Sequence, residues 1–173
     1  MGSITFTADE PMLLAGGSMH YIISGLNSSD FAHLYGKDDE YLAQYNARRV
    51  LASQASALPD RIGLKDVPPG AYAILLNHTY QPAKSPYQGK HAIFIHEGCM
   101  QSGIFYNEIP EYLAKRQLSL RAFNLEHCII AAELATGDEV EQTVLDLLQR
   151  PETVYIHAHS ARFGCYLAAI NRH

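Results

Sequence analysis

Two histidines separated by one residue, His157 and His159, are the first side chains in this sequence with an evident capacity for chemistry. Alternate residues of an extended strand share a face, and a rise of ~3.3 Å per residue places the two rings roughly 6–7 Å apart. The segment Val154-Tyr155-Ile156-His157-Ala158-His159 then splits into two rows. Tyr155, His157 and His159 form a polar row, and Val154, Ile156 and Ala158 form an apolar row on the core side. Histidine exchanges a proton near neutral pH and also ligates metals. Three readings stay open here: a catalytic or ligand-binding pocket, a transition-metal site, and two half-exposed rings on a solvated sheet face.

Other residues join this pair by type and spacing. His96, at the end of Phe94-Ile95-His96-Glu97-Gly98-Cys99, is the best third metal ligand for His157 and His159. A structural zinc site normally takes four ligands, and no Cys-x-x-Cys completes one. Arg121 alternates with Ser119 and Gln117 on the polar side of a strand whose other side carries Leu118, Leu120 and Ala122. Beside Tyr155, His157 and His159, the Arg121 fork and the Ser119 hydroxyl would suit a carboxylate or phosphate. Otherwise Arg121 is a surface residue pairing with an acid. Cys165 is a nucleophile candidate if a hairpin brings His157 or His159 across to act as its base. Its other reading is a small buried hydrophobe. Cys128, in line with Ile130 and Ala132, reads as core. Tyr80 and Tyr87 flank a Pro-rich segment and would serve as stacking walls of a covered pocket, or simply pack that crossover. There is no Gly-rich phosphate loop, nucleophile elbow, H-E-x-x-H or EF-hand pattern. No organic cofactor is therefore expected, and a single transition metal is the one cofactor left open.

The elements that must position these groups are mostly strands. Met19–Ser24, Arg49–Ala52, Tyr72–His78, His91–Glu97, Gln117–Phe123, His127–Leu134, Thr153–His159 and Gly164–Ile170 read as extended, the last two as a hairpin. Tyr72–His78 is apolar on both faces and suits a central position. Short helical turns are expected after Ser28 or Ser29, after Asp38, and over Pro110–Lys115. The longest helix starts at Asp138, where Asp138-x-x-Glu141 resembles a capping box, and buries Val140, Val144, Leu147 and Leu148 before Pro151. Gln81–Lys90 reads as a long loop. The pattern predicts an α+β fold: one largely antiparallel, curved sheet of about seven strands, two or three short helices and one longer helix.

Composition narrows the class. At 173 residues one domain is expected, and an apolar content of 47% supports a packed core. A net charge of −5 without a basic tract argues against nucleic-acid binding. No apolar run approaches the ~20 residues of a membrane span. Three scattered cysteines fit a reducing compartment, so a cytoplasmic location is expected. Residues 1–18, with Gly16-Gly17-Ser18 before Met19, read as a leader that is either artificial or dispensable.

From Met19 onward the chain resembles a bacterial family known as domain of unknown function 1203. The likeness rests on Leu58-Pro59-Asp60-Arg61-Ile62-Gly63-Leu64-Lys65-Asp66, Pro69-Gly70, Leu75-Leu76-Asn77, Gln81-Pro82 and Ser85-Pro86-Tyr87. It continues through His91-Ala92-Ile93-Phe94-Ile95, Leu118-Ser119-Leu120-Arg121-Ala122, Val154-Tyr155-Ile156-His157, Gly164-Cys165 and Asn171-Arg172. The resemblance implies a single domain over residues 19–173 and no established activity. Some relatives carry Cys-x-x-Cys where Asp60 and Gly63 stand here, followed by a His and a Cys matching His96 and Cys99, a set resembling a zinc site. Asp60 and Gly63 depart from it. The leading functional expectation is a small enzyme acting on a small polar or anionic metabolite by histidine acid–base chemistry. The alternatives are a metal- or small-molecule-binding protein, and a tyrosine-rich interaction module or homodimer.

Overall fold

A computed structural model of the protein describes residues 19–54 and 58–173; the leader expected at residues 1–18 lies outside the described residues. In chain order the strands are β1 (Tyr21–Ser24), β2 (Arg48–Leu51), β3 (Pro59–Asp60), β4 (Lys65–Asp66), β5 (Tyr72–Gln81), β6 (Gly89–His96), β7 (Ile104–Tyr106), β8 (Leu118–Phe123), β9 (Ile129–Ala135), β10 (Tyr155–Ser160) and β11 (Tyr166–Arg172). The α-helices are α1 (Asp39–Gln44), α2 (Glu111–Ala114) and α3 (Glu139–Gln149), and two 3₁₀ turns cover Ser28–Asp30 and Ala32–Leu34.

The fold is α+β and mostly antiparallel, but the single seven-stranded sheet must be corrected to two sheets. One has the order β7-β1-β11-β10-β8-β9 and the other β2-β5-β6-β3-β4. Only the short β3–β6 contact is parallel among the described pairings. The chain leaves the first sheet after β1, builds the whole second sheet, and returns at β7, which pairs with β1. Strand periodicity carries no record of such long-range pairing, which is why one sheet was expected. The apolar β5 is indeed central, between β2 and β6.

Each sheet has its own core. Leu118, Leu120 and Ala122 of β8, Ile156 and Ala158 of β10, and Ala168 and Ile170 of β11 pack against Val140, Val144, Leu147 and Leu148 of α3. Ile74 and Leu76 of β5 and Ile93 and Ile95 of β6 pack against Phe31, Leu34 and Leu42. The expected α3 face is thus the buried one. Its expected capping box does not form: Asp138 already has helical dihedrals and makes no side-chain cap bond. Gly137, at φ +57°, turns the chain one residue earlier. Asp38 does cap α1, accepting from the Tyr41 N–H at 2.8 Å. Cys128 is half-buried rather than core, because the even-numbered side of β9, with Ile130, is exposed. Val154 precedes β10 and is likewise exposed rather than part of the buried row. The loop expected over Gln81–Lys90 shrinks to residues 82–88, since β5 and β6 extend to Gln81 and Gly89.

Candidate functional site

The β10–β8 register sets Tyr155 opposite Phe123, His157 opposite Arg121 and His159 opposite Ser119. The polar row expected from the sequence therefore exists, with Arg121 and Ser119 on it. It is not an open face. Tyr80 of β5 stands edge-on to His159 at 4.9 Å and to His157 at 6.2 Å between ring centroids, and stacks on Tyr166 of β11. The second sheet thereby covers the histidines, leaving His157 7% and His159 0% exposed. Gly89 makes this approach possible, since a Cβ there would lie 2.4 Å from the Tyr80 hydroxyl. Tyr87 packs edge-on against Phe123, and the Ser85 hydroxyl donates to the His127 carbonyl at 3.0 Å, docking the 82–88 connection onto the first sheet.

Burial governs the charge state of these rings. Loss of water pushes the His157 pKa down to about 3, with further lowering from His159 and Arg121. It pushes that of His159 down to about 4, opposed by a bond to the Gly164 carbonyl and aided by Arg121 and His91. Both imidazoles are neutral at physiological pH. A carbonyl only accepts, so Nδ1 of His159, 2.9 Å from the Gly164 oxygen, holds the proton and Nε2 is the bare nitrogen. Nε2 of His159 and Nδ1 of His157 are buried without a hydrogen-bond partner among the described residues. Tyr155 accepts from Gln81 Nε2 at 2.7 Å and lies 2.8 Å from His127 Nδ1, so its hydroxyl ties β10 to β5 and to the turn before β9. Burial raises its pKa. Arg121 donates from Nε to the Ser119 hydroxyl at 3.2 Å.

A cavity of about 640 Å³ lies beside this seam, where the β10–β11 turn, the α2–β8 connection and strands β5 and β6 meet. Cys165 lines it. The expected imidazole base is not across from this thiol: His159 pairs with Tyr166 instead, and Cys165 Sγ accepts from Arg61 Nη2 at 3.1 Å. Arg61 is 1% exposed. Its other donors reach the carbonyls of Tyr166, at 2.9 Å, and Pro59, at 2.5 Å. Lys115, Arg116, Arg162 and His91 also line the cavity, and among the described residues no Asp or Glu does. Asp66 pairs with two of these cations, with Lys115 at 2.5 Å and with Arg116. Those pairings hold its pKa below the usual carboxylate value although burial opposes them.

Residues 57–172, more than half of the chain, match the family model described as "Protein of unknown function (DUF1203)". The chain belongs to the DUF1203 family. No curated protein and no solved structure matches it significantly.

The zinc set implied by the resemblance to DUF1203 relatives can be tested on the residues present. Asp60, Gly63, His96 and Cys99 do come together, around a second cavity of about 620 Å³. They do not suit a metal. Gly63 has no side chain to ligate a metal, and the Asp60 carboxylate is occupied by the backbone N–H groups of Ile62, Gly63 and His96 at 3.0, 2.7 and 2.9 Å. The Cys99 thiol pKa is pushed up by burial and then by Asp60. In this DUF1203 chain the hydrogen-bonded Asp60 carboxylate holds the 60–63 turn. His96 faces this second cavity, and none of the ring contacts of His157 or His159 includes it. Among the described residues no three His, Cys, Asp or Glu side chains are grouped to hold a metal.

Sequence reasoning missed Arg61, Lys115, Arg116 and Arg162 as a group. They come from three separate stretches, and no spacing rule links them. The one usable signal was Arg61 itself, an arginine set between the Pro59-Asp60 pair and an apolar Ile62, where a charge has no obvious reason to be buried.

Proposed function

We propose that this domain binds a small organic anion in the cavity beside Cys165. The observation that carries the reading is a lining that includes Arg61, Lys115, Arg116 and Arg162 and no described carboxylate; Asp66 pairs with Lys115 and Arg116, which leaves Arg162 without an ion pair among the described residues. The Arg61 guanidinium, held at 1% exposure, is fixed by bonds to two carbonyls and a sulfur in a region of low dielectric. An anion arriving there meets a positive charge already held in place, with the exposed Arg162 guanidinium as a donor at the same cavity. The volume lies within the range of small-molecule clefts.

This keeps the expected ligand class, a small polar or anionic metabolite, and moves its site. If the ligand is turned over by histidine acid–base chemistry, His91 is the imidazole on the cavity wall, whereas burial opposes proton uptake by His157 and His159. Free thiols at Cys99, Cys128 and Cys165 support a reducing, cytoplasmic setting for this activity. No described helix is long and apolar enough to cross a membrane.

The reading is tested by calorimetric titration with phosphate and with acetate at low ionic strength, in the parent and in Arg162→Glu. Arg162 is exposed, so its reversal should spare the fold. Saturable binding of either anion, weakened at least tenfold by the reversal, supports the site. Binding that ignores Arg162→Glu, or no binding, rejects it.

A further inference from the structure

The same cavity has a second kind of wall. Leu75 and Phe94 come from the second sheet, Leu167 from β11, and Phe163 from the β10–β11 turn. Phe163 is 71% exposed, an aromatic ring left at the cavity mouth with the Arg162 guanidinium 5.6 Å from its centroid. A site for inorganic phosphate would be closed around polar donors on all sides. Here cationic side chains and hydrocarbon line one space together, and Arg162 and Phe163 bring both to the same turn.

We propose that the ligand is a monoanion with an apolar body, an aliphatic or aryl carboxylate, its head on the cationic wall and its hydrocarbon against Leu75, Phe94, Phe163 and Leu167. This rests on the anion-binding reading above and names the substrate class for it. Arginine presents a fork that matches a carboxylate, and a carbon tail recovers hydrophobic free energy that a hydrated dianion cannot. The exposed Phe163 ring then has a partner, since it closes over the tail.

Calorimetric titration with acetate, butyrate and hexanoate, with hexylamine and inorganic phosphate as controls, separates the two claims. Each methylene that enters the cavity should tighten binding by about threefold to fourfold, so hexanoate should bind at least thirtyfold tighter than acetate. Arg162→Glu should weaken all three acids by a similar factor, and Phe163→Ser should flatten the dependence on chain length while sparing acetate. Equal affinities for acetate and hexanoate, or phosphate binding tighter than hexanoate, would overturn the apolar-body inference and leave the anion site standing. Hexylamine binding as well as hexanoate would overturn both, and so would failure of every acid and of phosphate to bind.

Discussion

Mild acid should weaken this protein well before its carboxylates titrate. His157 and His159 are buried and neutral, with pKa values near 3 and 4 in place of 6.5. In the unfolded chain both regain the ordinary value. Below pH 6.5 the unfolded state therefore binds more protons than the folded state, and stability falls as pH falls until the folded values are reached. Each histidine contributes a slope of about 1.4 kcal/mol per pH unit in that window. Between pH 7 and pH 5 the loss is about 2 kcal/mol per ring and about 4 kcal/mol for the pair, a large share of a typical net stability of ~5–15 kcal/mol. His78, also lowered by burial, adds to the same slope. Glu97 and Asp66 are held below their ordinary values, so their contributions are present above that range and are lost only at lower pH. Urea unfolding followed by far-ultraviolet circular dichroism at pH 7.5, 6.5, 5.5 and 5.0 reads the slope directly. The double variant His157→Gln/His159→Gln should lose most of it, whatever its stability at pH 7.5. A flat profile in the parent, or an unchanged slope in the double variant, would refute the claim that these rings are buried neutral.

Other perturbations probe the supports around the seam and the cavities. A Cβ at residue 25 would lie 2.0 Å from the Ile62 carbonyl oxygen, so Gly25→Ala should cost about 3 kcal/mol, the upper end for overpacking, read as a lowered Tm. Asp60→Ala strips an acceptor from three backbone N–H groups and should cost at least ~3 kcal/mol; Asp60→Asn, which keeps one carbonyl oxygen, should cost less in the same melt. Tyr155→Phe leaves Gln81 and His127 without their shared hydroxyl and should cost about 1–2 kcal/mol by urea titration. With its thiol pushed up by burial and by Asp60, Cys99 should alkylate with iodoacetamide more slowly at pH 7.5 than a short cysteine peptide, and Asp60→Asn should speed it, as read by mass spectrometry.

Local features of this fold were legible because they depend on near neighbours in the chain. The helix burying Val140, Val144, Leu147 and Leu148 follows from spacing alone, and so does the shared face of Tyr155, His157 and His159. Alternation also put Arg121 and Ser119 on one side of β8, but only the pairing of β8 with β10, which alternation does not record, sets them on the histidine face. What alternation could not reveal is what lies above a face. Tyr80 was expected as a stacking wall of a covered pocket or as packing of its own crossover, and it proves to cover the His157–His159 seam, because β5 belongs to another sheet. A polar row on a strand looks the same whether water or a second sheet covers it, and the difference decides whether its histidines can exchange protons.

Arg61 marks the same limit from the other side. Nothing within ten residues of it predicts burial, since its partners Cys165 and Tyr166 lie over a hundred positions away. Yet its side chain joins the two features that matter most here. Nε is bonded to the carbonyl of Tyr166, whose ring packs against Tyr80, His157 and His159, and Nη2 reaches Cys165 on the cavity wall. Seam and cavity therefore share one buried cation. Burial of that cation is tolerable only because two carbonyls and a sulfur surround it. The packing that neutralises the histidines by excluding water also sets the buried Arg61 guanidinium against the cavity that Cys165 lines.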